Sequence, residues 1–432
     1  MPVVKTAAPL NELTATQIAA AIAAGSTSCE AVTRACLERI AARDQQVLAW
    51  QYMNPEQVIA QARAIDKSGK RGPLAGVPFG IKDIIDTSDM PTEYGSPIYQ
   101  GHRPGNDAAC VALSRNAGGL LLGKTVTTEF ANRFPGKTRN PFDPARTPGG
   151  SSSGSAAAVG DFMVPLAIGT QTTGSTIRPA SFCGIFGYRP SYGDLRCVGV
   201  KEAAGSLDTL GLLARSLEDI ALYRDVLLGI EPAIVPTDAP PPRIGFCRTH
   251  LWQQVEPTTQ KLLEDAAQRL ARAGAKIADV ALPADFERVE DAHRWISSFE
   301  FSRNFTWEIE NHWEKISATL RNGRLKDGLG CPFERYRDAR DLAERCRNLL
   351  APVFNDYDVL LTAAAAGEAP VGLDSTGNAS LYAIWTTMHV PCLTLPVFKG
   401  PNGLPVGAQL IGRRNADRAL FAAAHWIHRA LV

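Results

Sequence analysis

Short apolar runs recur along this chain between helical stretches, each too brief for a helix and each closed by glycine or a polar pair. Val77–Ile81 (VPFGI) stops at Lys82-Asp83, Gly119–Gly123 (GLLLG) is bounded by glycines, and Val164–Ile168 runs into Gly169-Thr170-Gln171. Apolar runs of this length without polar alternation read as strands buried on both faces. Asp107–Asn116 reads as a helix between the first two, and Ser155–Val159 as a small-residue helix before the third. This strand–helix alternation predicts an α/β architecture around a largely buried sheet.

The rest of the chain fits the same plan. Gln17–Ala24 ends at Gly25, and Ser26-Thr27-Ser28 offers an N-cap for a helix over Cys29–Arg43. A third helix, Glu56–Lys67, closes at the loop SGKRGP. Glu231–Pro242 carries five prolines and reads as an exposed connection. Beyond it, Arg243–Cys247, a helix near Thr258–Ala273 and Lys276–Leu282 repeat the pattern. Asp285–Ile316 and Pro332–Leu350 read as helical, Asp358–Thr362, Pro391–Val397 and Val406–Ile411 as strands, and Ala416–Leu431 as a closing helix. One domain over 1–432 is therefore expected, with a catalytic core at about 70–230, the connection 231–242, an elaborated portion 243–355 and C-terminal strands and helix 356–432.

Charge and composition exclude several classes. Lysine plus arginine (45) nearly cancels aspartate plus glutamate (44), which leaves no basic footprint for nucleic acid. The opening MPVVKTAAPLNELTATQ lacks the regions of a secretory signal, and charges or glycines interrupt every apolar stretch before a membrane-spanning length. A cytoplasmic protein is the plain expectation. Nine cysteines without a CxxC pair argue against disulfides or a zinc site, and the seven histidines form no cluster.

Three islands carry chemistry. Gly76–Asp83 places Lys82 directly after an apolar strand, and a desolvated lysine can have its pKa lowered until it accepts a proton. Pro148-Gly-Gly-Ser151-Ser152-Ser153-Gly154-Ser155 brings glycines and hydroxyls to the start of a helix. Gly169-Thr-Gln-Thr172-Thr173-Gly174-Ser175 is a strand feeding a tight turn, which can aim successive N–H groups at a developing oxyanion beside a serine. Taken singly, each has an ordinary explanation: a lysine reaching solvent, a flexible linker, a capped turn. The run Gly150–Gly154 also matches the nucleophile elbow G-x-S-x-G, which would select Ser152, but no core strand precedes it. Neither glycine island ends in Gly-Lys-Ser/Thr, so a phosphate-binding loop is excluded.

Together the islands resemble the amidase signature family, and the resemblance extends to Leu207–Ser216 and Gly403–Gly412. IKDIIDT, GGSSSGSAAAVG and the run from Gly169 to Ala180 are most similar to malonamidase-like members. The resemblance implies a large twisted mixed β-sheet covered by helices on both faces. It implies Ser175 as nucleophile, Lys82 as base and Ser151, after a cis peptide bond, as the proton bridge of an acyl-enzyme cycle without a metal. It further implies an oxyanion hole at the amides of Thr172, Thr173, Gly174 and Ser175. Thr173 replaces the family's usual glycine, so the turn must suit a β-branched residue. Arg178 matches a malonamidase-like arginine that holds a substrate carboxylate, although a buried pair with an acid explains it equally. Ser152 and the segment Glu129–Pro135 are further candidates at the substrate.

These expectations rank a stand-alone hydrolase of small carboxamides first and a carbamate or aryl-amide hydrolase of the same mechanism second. The A component of a tRNA-dependent amidotransferase ranks below them, disfavoured by Gln171 and the TIRPA run. A catalytically dead binding module is disfavoured by Lys82, Ser151 and Ser175 occurring together. The expected partners are a small amide or carbamate, with no nucleic acid and no membrane, acting on a monomer or homodimer with no cofactor.

Overall fold

The strands of the computed structural model are β1 (Trp50–Met53), β2 (Pro78–Lys82), β3 (Leu120–Thr125), β4 (Leu166–Gln171), β5 (Phe186–Arg189), β6 (Thr209–Ala214), β7 (Arg243–Phe246), β8 (Lys276–Asp279), β9 (Val359–Ala363), β10 (Cys392–Lys399) and β11 (Pro405–Gly412). The structure describes residues 8–69 and 72–432. The opening residues 1–7, read above for a secretory signal, and residues 70–71 of the SGKRGP loop lie outside the described residues. The strands form one sheet in the order β1-β3-β2-β4-β6-β5-β10-β11-β9-β7-β8. It is mixed: β2 runs parallel to β3 and β4, and β7 parallel to β8 and β9, while the other pairs are antiparallel.

The central strands are buried throughout because helices cover the sheet. Ser153–Gly160 packs on β2, β3, β4 and β6, and Ile177–Phe182 packs on β5, β10 and β11. The helix termini follow local chemistry. Ser28 caps Cys29–Val47 by accepting from Ala31 N–H, and Leu48 ends that helix in a left-handed conformation. Ser216 caps Leu217–Leu228 in the same way, and Gly229 closes it at φ 67°.

Several elements differ from the sequence reading. β4 lies two to three residues further on than Val164–Ile168, so Gln171 still belongs to the strand. β1, β5 and β6 went unread: β1 and β5 are four residues each, and Gly211 interrupts β6. The stretch Asp285–Ile316 breaks into Val289–Asn304, Thr306–His312 and short turns. Among the described residues no helix is long and apolar enough to cross a membrane.

Candidate active site

Ile81 of β2 pairs with Ile168 of the parallel β4, so the C-terminal ends of both strands reach the same edge of the sheet. Crevices outside carboxyl ends of strands are where open α/β sheets bind ligands. Lys82 closes β2 there, fully buried, and its Nζ donates to Ser151 Oγ at 2.7 Å and to Thr170 Oγ1 at 2.7 Å. Burial pushes the Lys82 ammonium down to about 7, opposed by the charge of Asp208. The Gly150–Ser151 peptide bond is cis.

Ser175 follows β4 by four residues and is 8% exposed. Its carbonyl accepts from Ser152 N–H at 3.3 Å, which binds the serine loop to the turn after β4. The amides of Thr173, Gly174 and Ser175 meet no acceptor among the described residues. Thr173 keeps a negative φ, which is how the turn accommodates a β-branched residue where glycine was expected. Its carbonyl accepts from Thr386 Oγ1 at 2.7 Å.

The turn is held from both sides by residues that sequence reasoning did not single out. Asp208 accepts from Thr172 Oγ1 at 2.5 Å and from the amides of Ala203 and Ala204 at 2.7 and 2.9 Å. His293 Nε2 donates to Thr172 O at 2.9 Å, and burial lowers its pKa to about 4, so it is neutral at ordinary pH. Arg324 lies on the π-helical segment Arg321–Leu325, and its Nε and Nη2 are buried without an acceptor among the described residues. Burial lowers its guanidinium to about 10, and the charges of Asp208 and Arg133 act on it. In the sequence, 317–331 carries no assigned element between two helices, so nothing there points to Arg324; π-bulges recur at functional sites.

Two further candidates are engaged in hydrogen bonds with the protein itself. Ser152 is fully buried, its Oγ donating to Thr170 O and accepting from Thr170 N–H, both at 3.2 Å. That hydroxyl is engaged by the end of β4. Arg178 is buried without an acidic partner among the described residues. Its Nη2 donates to Gly150 O at 2.7 Å and Thr376 Oγ1 at 3.2 Å, and its Nη1 donates to Asn378 O at 3.2 Å. Arg178 thus grips the carbonyl just before Ser151. In the Glu129–Pro135 stretch, Phe130 and Ala131 both hold positive φ, at 48° and 56°.

The model of the amidase family matches residues 31–421. The chain belongs to the amidase family. Among solved structures, a chain from an inhibitor-bound vestigial protein complex, described as revealing the evolutionary origins of an s-triazine catabolic enzyme, superposes with a TM-score of 0.89 at 27% identity, over 97% of this chain and 99% of that one. The peptide amidase of Stenotrophomonas maltophilia superposes with a TM-score of 0.83 at 28% identity, over 98% of each chain. Among curated relatives, the A component of the glutamyl-tRNA(Gln) amidotransferase of Chloroflexus aggregans is 34% identical over 94% of this chain and 93% of its own. The same component from Streptomyces coelicolor is 32% identical over 98% and 96%.

These relatives overturn two expectations drawn from the sequence. An amidotransferase component ranked below a stand-alone hydrolase of small carboxamides or carbamates, yet the curated relatives that cover nearly the whole chain carry the amidotransferase name. An exclusively small-molecule partner without nucleic acid falls for the same reason, since those relatives are components of an enzyme named for a tRNA. The physical error lies at Gln171. Its Oε1 accepts from the amides of Thr176 and Ile177 at 3.0 and 3.2 Å and its Nε2 donates to Thr386 Oγ1 at 3.3 Å, so this buried side chain is spent on bracing the turn. A side chain engaged within the turn carries no information about the acceptor of the released ammonia.

Proposed function

We propose that this amidase is the amide-cleaving component of a glutamyl-tRNA(Gln) amidotransferase. In this reading Ser175 attacks the side-chain carboxamide of a donor such as glutamine, and the released ammonia passes to glutamyl-tRNA(Gln) held elsewhere in the assembly. The chemistry rests on one observation, the 2.7 Å contact between a desolvated Lys82 and Ser151 at the turn that carries Ser175. The choice of acceptor rests on the full-length similarity to the amidotransferase relatives.

With Lys82 neutral, Ser151 O–H donates to Nζ while Ser151 Oγ accepts the proton of Ser175. The new Oγ–C bond makes a tetrahedral oxyanion beside the amides of Thr172, Thr173, Gly174 and Ser175. When the C–N bond breaks, Ser151 returns a proton to the nitrogen and ammonia leaves. Water then attacks the ester and passes its proton along the same path, which frees the acid and restores Ser175. Arg324 supplies the donor contact, because a buried guanidinium with two unpaired nitrogens suits a carboxylate. Arg178 instead orients Ser151 through Gly150 O.

The continuous sheet from β1 to β8 supports reading 1–432 as one unit, and the proposed role implies the cytoplasm as its compartment. The test is reconstitution with the partner proteins of the Chloroflexus relative, measuring conversion of glutamyl-tRNA(Gln) to glutaminyl-tRNA(Gln). Glutamine-dependent amidation lost in Ser175→Ala is the expected result. Ammonia release from carboxamides with no amidation of the tRNA would sink the assignment.

A further inference from the structure

Asp208 stands immediately before β6, across from Thr172 in the antiparallel register that pairs Thr209 with Gln171. One carboxylate oxygen takes the Thr172 hydroxyl at 2.5 Å, and the other takes the amides of Ala203 and Ala204. Thr172 is the first residue of the turn that ends in Ser175, and its carbonyl is held on the opposite side by His293. A buried carboxylate with three short donors is rigid, and so is the hydroxyl it fixes.

We propose that Asp208 is a positioning residue for amide cleavage, its carboxylate locking Thr172 so that the amides of the 172–175 turn stay aimed at the oxyanion. The inference rests on the catalytic reading given above. Asp208 also acts at a distance on the base. Among the described residues it is the charge that opposes the desolvation of Lys82, and it therefore keeps that amine more basic than burial alone would. Arg324, Cys197 and Tyr192 are the other titratable groups that respond to its charge.

The two effects separate in three variants of the full chain. The readouts are the rate at which a fluorophosphonate labels Ser175 as a function of pH, and kcat and KM for ammonia release from glutamine. Asp208→Asn should slow labelling and kcat by roughly tenfold or more while KM stays within about threefold. It should also move the acid limb of the labelling profile to lower pH, because losing a negative charge makes the Lys82 ammonium easier to deprotonate. Thr172→Val removes only the hydroxyl, so the rate should fall by a similar factor with the acid limb in place. Asp208→Glu keeps the charge with the wrong reach, and should lose rate without moving the limb. Wild-type rates in Asp208→Asn, or an unmoved limb together with a wild-type Thr172→Val, would overturn the positioning role. Labelling that persists in Ser175→Ala is a different result, since it removes the nucleophile and the catalytic reading itself.

Discussion

Lys82 Nζ and Ser151 Oγ lie 2.7 Å apart with both side chains buried, joining the end of one central strand to a loop sixty-nine residues further along the chain. The pair dictates a pH dependence. Lys82 is charged below a pKa of about 7 and neutral above it, and only the neutral amine accepts a proton. We expect kcat/KM to rise with pH through about 7 and to level above it. A steady-state pH profile checks this, and a flat profile from pH 5 to 9 would exclude Lys82 as the base.

Removing the relay should be less severe than removing the nucleophile. Ser175→Ala should eliminate turnover and fluorophosphonate labelling. Ser151→Ala leaves Ser175 in place but takes away its proton path, so kcat should fall by roughly 10²–10⁴-fold. Single-turnover kinetics on the two variants distinguish the roles, and equal loss of labelling would contradict the proposed division.

The two arginines should separate binding from positioning. Arg324→Gln should raise KM for glutamine by about 10–100-fold, the range expected for losing a charge-assisted hydrogen bond, and leave neutral carboxamides little changed. Arg178→Gln loses the grip on Gly150 O, so kcat should fall for charged and neutral donors alike. A substrate panel run on both variants is the check. A donor preference that shifts in Arg178→Gln and not in Arg324→Gln would reverse the assignment.

Sequence reading reached the fold class and the three islands because each is local: a strand end, a glycine-serine loop, a tight turn. Each island fits a short window, yet Lys82, Ser151 and Ser175 could be named only by taking the three together. His293 and Thr386 could not be named, since they join the turn only through folding, and Asp208, though inside the recognised run Leu207–Ser216, carried no role there. β6 escaped for a related reason. Its Gly211 weakens the strand signal, yet a Cβ at that position would lie 1.9 Å from Thr176 Oγ1, so the glycine serves a contact invisible in sequence. Arg178 was read evenly as a substrate arginine or a buried pair with an acid, and its backbone carbonyl partners were not legible, because nothing in a sequence marks which carbonyl a guanidinium will meet.

The same kind of contact governs Gly174, the residue just before Ser175. A Cβ there would lie 2.2 Å from Cδ2 and 2.5 Å from Cγ of Tyr382. That ring cannot yield easily, being fully buried with its hydroxyl donating to Ala364 O at 2.6 Å. Gly174→Ala must therefore displace the turn rather than the ring. Overpacking of this sort costs typically ~1–3 kcal/mol, so Tm should drop by about 1–3 °C in a chain of this size. Activity should fall further than stability, because the displaced backbone carries the amides of Gly174 and Ser175. Adding Tyr382→Leu opens the space and should restore part of both in Gly174→Ala, even though it loses the bond to Ala364 O. Thermal denaturation and labelling rates on the single and double variants form a cycle that reads the coupling. Strict additivity of the two substitutions would show that the ring does not hold the turn.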